Sequence, residues 1–311
     1  MKNTISAETR FLHAIEMGLG AWQWGDKLFW QYGQTHSEED CRAAYQVSLD
    51  AGVRFVDTAE AYGNGRSELL LGQFLKETEQ PVLVATKFFP FPWRLNQKSL
   101  LKALRRSLDR IGVEKVDLYQ VHQPLPPVPV ETWMEAMAEG AAQGMIRTVG
   151  VSNYNQTQML RAYSALAQRN IPLAANQMTY SLLDRRIEKD GLLARCQELG
   201  IRLIAYSPIE KGLLTGKYSP ENPPPGIRGR RYASLLPRIA PLLKAMTEIG
   251  QDHGGKSNVQ VALNWCIRKG TLPIPGAKNA AQAQENAGAL GWHLSDDQVT
   301  RLDEISDRVT G

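Results

Sequence analysis

VRFVDTAEAYG, residues 53–63, opens as a short apolar run that fits a buried strand over 53–58 and carries a carboxylate, Asp57, at its end. Tyr62 follows five positions later, in a loop marked by Gly63. Buried strands favour Val and Ile, and an acid at the end of one needs a partner. The next apolar run, VLVATKF at 82–88, ends on Lys87, and the one after it, VDLYQVH at 116–122, ends on His122. Three successive predicted strands therefore finish on an acid, a base and an imidazole, with a phenol in the first loop.

Outward from these strands the same alternation continues. A first strand is expected near 17–21, leading to Trp22 and Trp24, and a helix from the cap Ser37 through Glu38, Glu39 and Asp40 to about Ala51, with Gly52 as its stop. Further strands are expected at 148–151, 173–177, 202–206 and 272–274, with helices near 66–77, 97–111, 131–143, 156–168, 187–199, 235–252 and 258–269. Helices also follow PGAKNAAQAQEN and Ser295. Two Pro-rich loops, FPFPW at 89–93 and HQPLPPVPVE at 122–131, and a long Gly/Pro segment over 207–229 interrupt the pattern, and that length suggests a functional loop. Eight strands alternating with helices, and no GxGxxG after the first, favour a closed α/β barrel, (β/α)8 of the TIM type, over a doubly wound sheet. No composition break divides the chain, so one domain over 1–311 is expected. In such a barrel the working rim is the carboxyl end of the strands, where Asp57, Lys87 and His122 fall.

Composition narrows the function classes. The 311 residues are 43% apolar, enough for a full core and too many for a disordered chain. The formal charge of +4 is small and unclustered, which argues against nucleic acid as a partner while leaving room for a local anionic ligand. Cys41, Cys196 and Cys266 are odd in number and widely spaced, so neither a metal site nor a disulfide framework is expected. The first residues, MKNTISAETR, carry no apolar leader, and no run approaches the roughly 20 apolar residues of a membrane span. A cytoplasmic protein without membrane partners is the expectation; oligomeric state is open.

The four polar groups suggest a chemistry. A tyrosine ordinarily titrates near 10, and a neighbouring Lys87 ammonium is expected to lower that value by stabilising the phenolate. Asp57 would keep Lys87 charged, and His122 would polarise an oxygen bound beside Tyr62. This suits protonation of a carbonyl oxygen as charge develops on it. It offers no nucleophile for acyl transfer. The missing part is an electron donor, which side chains do not provide, so a hydride cofactor is implied.

DTAEAYG, ATKF, DLYQVH, VGVSNY, NQMTYS, YSPIEKGLLTGKY and IPGAKNAAQAQEN, in this order over about residues 17–290, resemble the successive signatures of the aldo-keto reductase superfamily. The branch that looks most similar holds bacterial, plant plastid and potassium channel β-subunit-type members. The resemblance implies a barrel binding extended NADPH, with Asp57, Tyr62, Lys87 and His122 as the catalytic set, Tyr62 as general acid, and a small-molecule carbonyl as substrate. It implies that Ser152, Asn153 and Gln177 bind the nicotinamide carboxamide and that Tyr206 stacks on the nicotinamide ring. Ser207, Pro208, Ile209, Gly212, Thr215 and Lys217 would wrap the pyrophosphate, a loop offering backbone donors, a hydroxyl and a cation. Gly276 and Lys278 would lie at the adenosine end, with Lys278 beside a 2′-phosphate, and Gln282, Glu285 and Asn286 on the adenine side. Gly20, Ala21 and Trp22 end the first strand against the same ligand, Trp22 serving also as substrate wall. Arg228 or Arg230 would clamp the cofactor. The channel β-subunits have Asn at the histidine position; His122 follows the enzyme pattern.

Taken singly, Asp57 with Lys87 reads as a structural ion pair, His122 as a satisfied polar residue, and Tyr62 as a loop aromatic. Their joint placement at one rim is what favours catalysis. Two other classes fit parts of the pattern: a Schiff-base aldolase using Lys87, and a cofactor-sensing regulatory module with weak turnover.

Overall fold

The computed structural model describes residues 5–225 and 227–311, apart from the side chains of Ile227, Arg228 and Arg231. Its sheet has eight parallel strands in sequence order: β1 Leu19–Gly20, β2 Phe55–Asp57, β3 Leu83–Phe88, β4 Val116–Val121, β5 Ile146–Ser152, β6 Leu173–Thr179, β7 Arg202–Tyr206 and β8 Leu272–Pro273. Helices fill the connections between them. The sheet curls until its ends meet: Gly18 N–H donates to Pro273 O at 3.0 Å, and Gly20 N–H donates to Pro275 O at 3.0 Å. Gly20 must be glycine for this approach, because a Cβ there would lie 2.8 Å from Ile274 O.

The expected alternation is observed, and local chemistry explains where its boundaries moved. Helix Glu38–Asp50 starts on a reciprocal cap, the Ser37 hydroxyl accepting from Asp40 N–H and the Asp40 carboxylate accepting from Ser37 N–H. The single helix expected over 187–199 is two, Arg186–Lys189 and Leu192–Glu198, because Gly191 takes a φ of 78° and Asp190 accepts from Leu192 N–H to start the second. The helix expected from 235 begins at Ala240, since Pro237 and Pro241 lack the N–H groups an interior turn requires.

Two apolar layers build the core. The larger lies between the strands and the surrounding helices; the smaller lies inside the curl and contains Leu12, Phe55, Ala85, Leu118, Ala175, Ile204 and Leu272. Leu12, from the short helix Arg10–His13, is fully buried there. Side chains two apart on a strand share a face. Two positions beyond Phe55, Ala85, Leu118, Ala175 and Ile204 come Asp57, Lys87, Gln120, Gln177 and Tyr206. An apolar inner layer thus gives way to a polar one toward the carboxyl ends of the strands. Among the described residues, no helix is long and apolar enough to cross a membrane.

Candidate active site

The polar layer is organised around Lys87, whose side chain is fully buried. An ammonium has three N–H donors, and all three are engaged: with Asp57 Oδ1 in an ion pair, with Thr58 O at 2.9 Å and with Tyr62 OH at 3.2 Å. Asp57 also accepts at Oδ2 from Gln177 Nε2 at 2.8 Å and Gln120 Nε2 at 3.2 Å. Thr58 O and Asp57 come from the end of β2, Lys87 from β3, Gln120 from β4 and Gln177 from β6. Tyr62 is held over the ammonium by a turn in which Gly63 and Asn64 both adopt positive φ. A Cβ at Gly63 would strike Gly25 O at 2.5 Å, so the turn depends on glycine. His122, one residue past β4, packs edge-on to Tyr62 with 5.7 Å between ring centroids.

The protonation states follow from burial and charge. Burial alone would strip Lys87 of its proton, but the Asp57 charge, with Tyr62 and the hydrogen bonds, outweighs it and the pKa rises. His122 falls to about 3, through burial first and the Lys87 charge second, so it is a neutral imidazole. Its buried Nδ1 has no hydrogen-bond partner among the described residues. The expected acidification of Tyr62 is corrected. Burial raises its pKa more than Lys87 lowers it, so the hydroxyl keeps its proton. Tyr206 is likewise pushed up to about 12, chiefly by burial.

These groups open into a cavity of about 800 Å³. Of the residues expected from sequence, Gly20, Ala21, Trp22, Asp57, Tyr62, His122, Ser152, Asn153, Gln177, Tyr206, Ser207, Pro208, Ile209, Gly212, Thr215, Lys217, Gly276, Lys278, Gln282, Glu285 and Asn286 line it. Lys87 lies beneath the lining. The side chain of Arg228 lies outside the described residues, and Arg230 is not in the lining. Gln23, Trp30, Gln123, Lys211, Tyr218, Ser257 and Pro275 also line the cavity, though the sequence reading passed over them, as it did Gln120 behind Asp57.

The wall opposite Tyr62 is a connected polar strip. Asn153, at a φ of 62°, donates from Nδ2 to His122 O and Ser152 Oγ, both at 3.0 Å, and accepts at Oδ1 from Tyr206 OH at 2.9 Å. Beyond it, Ser207, Glu210 and Lys211 also take positive φ. Non-glycine residues in this region are strained and concentrate at functional sites. Thr215 Oγ1 donates to Gly212 O and accepts from Lys217 N–H, which shapes the loop after β7. At the far end, Lys278 Nζ reaches Trp30 O and Thr35 Oγ1, each at 3.4 Å, joining the loop after β8 to the loop after β1.

Unsatisfied buried atoms border both ends of the cavity: His122 Nδ1 near Tyr62, and Gln23 Oε1 against Gly276. Buried polar groups without protein partners are what a polar ligand would complete. An elongated ligand with an amide at one end and anionic groups along the loops after β7 and β8 fits this donor set, since the cavity's three lysines, Lys211, Lys217 and Lys278, all lie on those loops. Among the described residues no cluster of three or more His, Cys, Asp or Glu could hold a metal ion.

Similarity to known proteins converges on one family. The model of the aldo/keto reductase family matches residues 16–307. A chloroplastic pyridoxal reductase of Arabidopsis thaliana is 40% identical over 305 residues, covering 94% of this chain and 83% of that protein. A glycerol dehydrogenase from Gluconobacter oxydans superposes with a TM-score of 0.84 at 26% identity, over 95% of this chain and 93% of that one. An aldo/keto reductase from Klebsiella pneumoniae, solved in complex with NADP and acetate, superposes with a TM-score of 0.73 at 27% identity, over 94% and 91%. With its curled parallel sheet, its acid–ammonium–phenol cluster and these relatives, the chain belongs to the aldo/keto reductase family of oxidoreductases.

Proposed function

We propose that the chain forms one closed (β/α)8 barrel over 1–311 and reduces aldehydes or ketones to alcohols with NADPH, with Tyr62 delivering the proton. One observation carries this reading: Lys87 spends its third N–H on the Tyr62 oxygen, so that oxygen accepts from below and keeps its own proton for the cavity. A phenol with a raised pKa holds its proton at neutral pH, and the fixed ammonium beneath it, which pulls that pKa back down, stabilises the phenolate left after transfer. When bound, NADPH supplies the hydride. Ser152, Asn153 and Gln177 hold the carboxamide end, Tyr206 backs the ring, Ser207–Lys217 surrounds the pyrophosphate, and Lys278 meets the 2′-phosphate. Neutral His122 orients the carbonyl oxygen toward Tyr62.

The rim over this pair favours a ring-bearing substrate. Two aromatic series lead away from it: Tyr62 to Trp22 to Phe29, and His122 to Phe89 to Phe91 to Trp93, with centroid spacings from 4.7 to 6.2 Å. Cations meet both series: Lys278 Nζ lies 5.1 Å over Trp30, which packs on Trp22 and Phe29, and Arg94 lies 5.1 Å over Phe91. A Schiff-base role for Lys87 has no support, because its amine is buried and fully engaged. A purely cofactor-sensing role has none either, because the tyrosine, lysine, aspartate and histidine are all in place. The three cysteines are free and buried, which fits the cytoplasm we assign. A panel of aromatic, aliphatic and phosphorylated carbonyl compounds, assayed with NADPH and NADH, tests this function. Carbonyl-dependent NADPH oxidation, fastest with aromatic aldehydes, is expected; no turnover with any carbonyl would overturn it.

A further inference from the structure

A buried glutamine pair sits against Asp57 beneath the cavity. Gln120 and Gln177 are 0% and 2% exposed. Their side chains meet over the same Asp57 oxygen. A carboxylate only accepts, so both amide nitrogens must turn toward it. Gln177 then has one N–H left, and Gln120 Oε1 accepts it at 3.3 Å. With both its hydrogens committed, Gln177 has only its carbonyl oxygen to offer to the cavity that it lines. The position is built for this: Gln120 pairs in register with Gly150 on β5, where a Cβ would lie 3.1 Å from Gln120 Cγ. A larger residue at 150 would displace the amide.

We propose that Gln120 is a positioning residue for cofactor recognition: it locks the Gln177 amide so that Gln177 reads a hydrogen-bond donor, the NH2 of the nicotinamide carboxamide. The proposal rests on the NADPH reading above. Without Gln120, Gln177 hangs on a single bond to Asp57, its plane is free to turn, and its oxygen no longer has a fixed aim. Gln120 would therefore sharpen discrimination between a carboxamide and a group of the same shape that lacks N–H.

The test is equilibrium fluorescence titration of the full chain, without substrate, by NADP+ and by its 3-acetylpyridine analogue, in which a methyl replaces the NH2. Wild type is expected to bind the analogue about tenfold more weakly or worse, because a buried acceptor is left unpaired. Gln120→Met, which keeps side-chain length and removes both polar atoms, is expected to shrink that ratio to about threefold or less, chiefly by weakening NADP+. A variant that weakens both ligands equally and keeps the wild-type ratio would overturn the proposal, as a merely structural role predicts that result. Equal binding of the two ligands by wild type would overturn it too, whether or not the variant folds. If wild type binds neither ligand, the NADPH reading itself falls and this one with it.

Discussion

Tyr62 and Lys87 illustrate how burial sets the sense of an electrostatic effect. From sequence, an ammonium beside a phenol suggests an acidified phenol. In the folded chain, desolvation outweighs the ammonium and leaves the phenol protonated, as a general acid requires. Replacing Lys87 with Met should remove the stabiliser of the phenolate and also leave Asp57 buried without its ion pair. A drop in kcat together with about 3–5 kcal/mol of lost stability is expected, read by steady-state assay and denaturant unfolding. Near wild-type stability would show that the two glutamines alone satisfy Asp57. The residues proposed as catalytic were legible as candidates because each ends a recognisable strand or opens the next loop. Gln120 was not singled out, although Leu118 and Gln120 alternate with the period of two that puts a polar residue in the same layer as Asp57. The signal was present, but a glutamine in an apolar run reads as an ordinary polar position until its partners are known.

Among the elements, the strands were visible as apolar runs and the helices as capped amphipathic stretches, whereas breaks depended on single backbone positions such as Gly191. Loop shape was the least legible. The contact of Lys278 with Trp30 and Thr35 joins segments more than two hundred residues apart, which no local pattern encodes. Because Lys278 is the cation proposed to meet the 2′-phosphate, Lys278→Ala is expected to weaken NADPH binding by roughly tenfold, about 1.4 kcal/mol and near the lower end for a hydrogen bond to a charged group, and to leave NADH nearly unchanged. Titration with both cofactors checks this, and equal losses would place the 2′-phosphate elsewhere. On the β3 loop, Trp93 is 73% exposed and stacks on Phe91 at 4.8 Å. Trp93→Ala should fold normally and raise KM for bulky aromatic aldehydes several-fold, in line with about 0.5–1.5 kcal/mol for a ring pair, while small aliphatic aldehydes change little. A parallel rise for both substrate classes would contradict an aromatic binding rim.

For the whole molecule, strand order was readable because a parallel sheet with regular crossovers leaves few topologies. Closure was expected from the count of eight strands, but the contact that makes it, the approach of Gly20 to Ile274 and Gly276, has no local pattern to announce it. The buried imidazole also ties the active site to global stability. His122 titrates near 3 when folded and near 6.5 when unfolded, so between these values the unfolded chain binds more protons. Stability should therefore be present above about pH 6.5 and decline as pH falls toward 3, by at most about 1.4 kcal/mol per pH unit from this group. The lowered His13 and His36 act in the same direction. Chemical denaturation across this range should show a shallower decline for His122→Asn, and an unchanged slope would assign the acid sensitivity to other groups.

All of this rests on a phenol that gives its proton while an ammonium waits beneath it. The most direct measurement is carbonyl-dependent NADPH oxidation by Tyr62→Phe, with cofactor affinity measured in parallel by fluorescence titration. A fall in kcat of roughly a hundred- to ten-thousand-fold with NADPH affinity nearly unchanged is the expected result; wild-type turnover by this variant would contradict it.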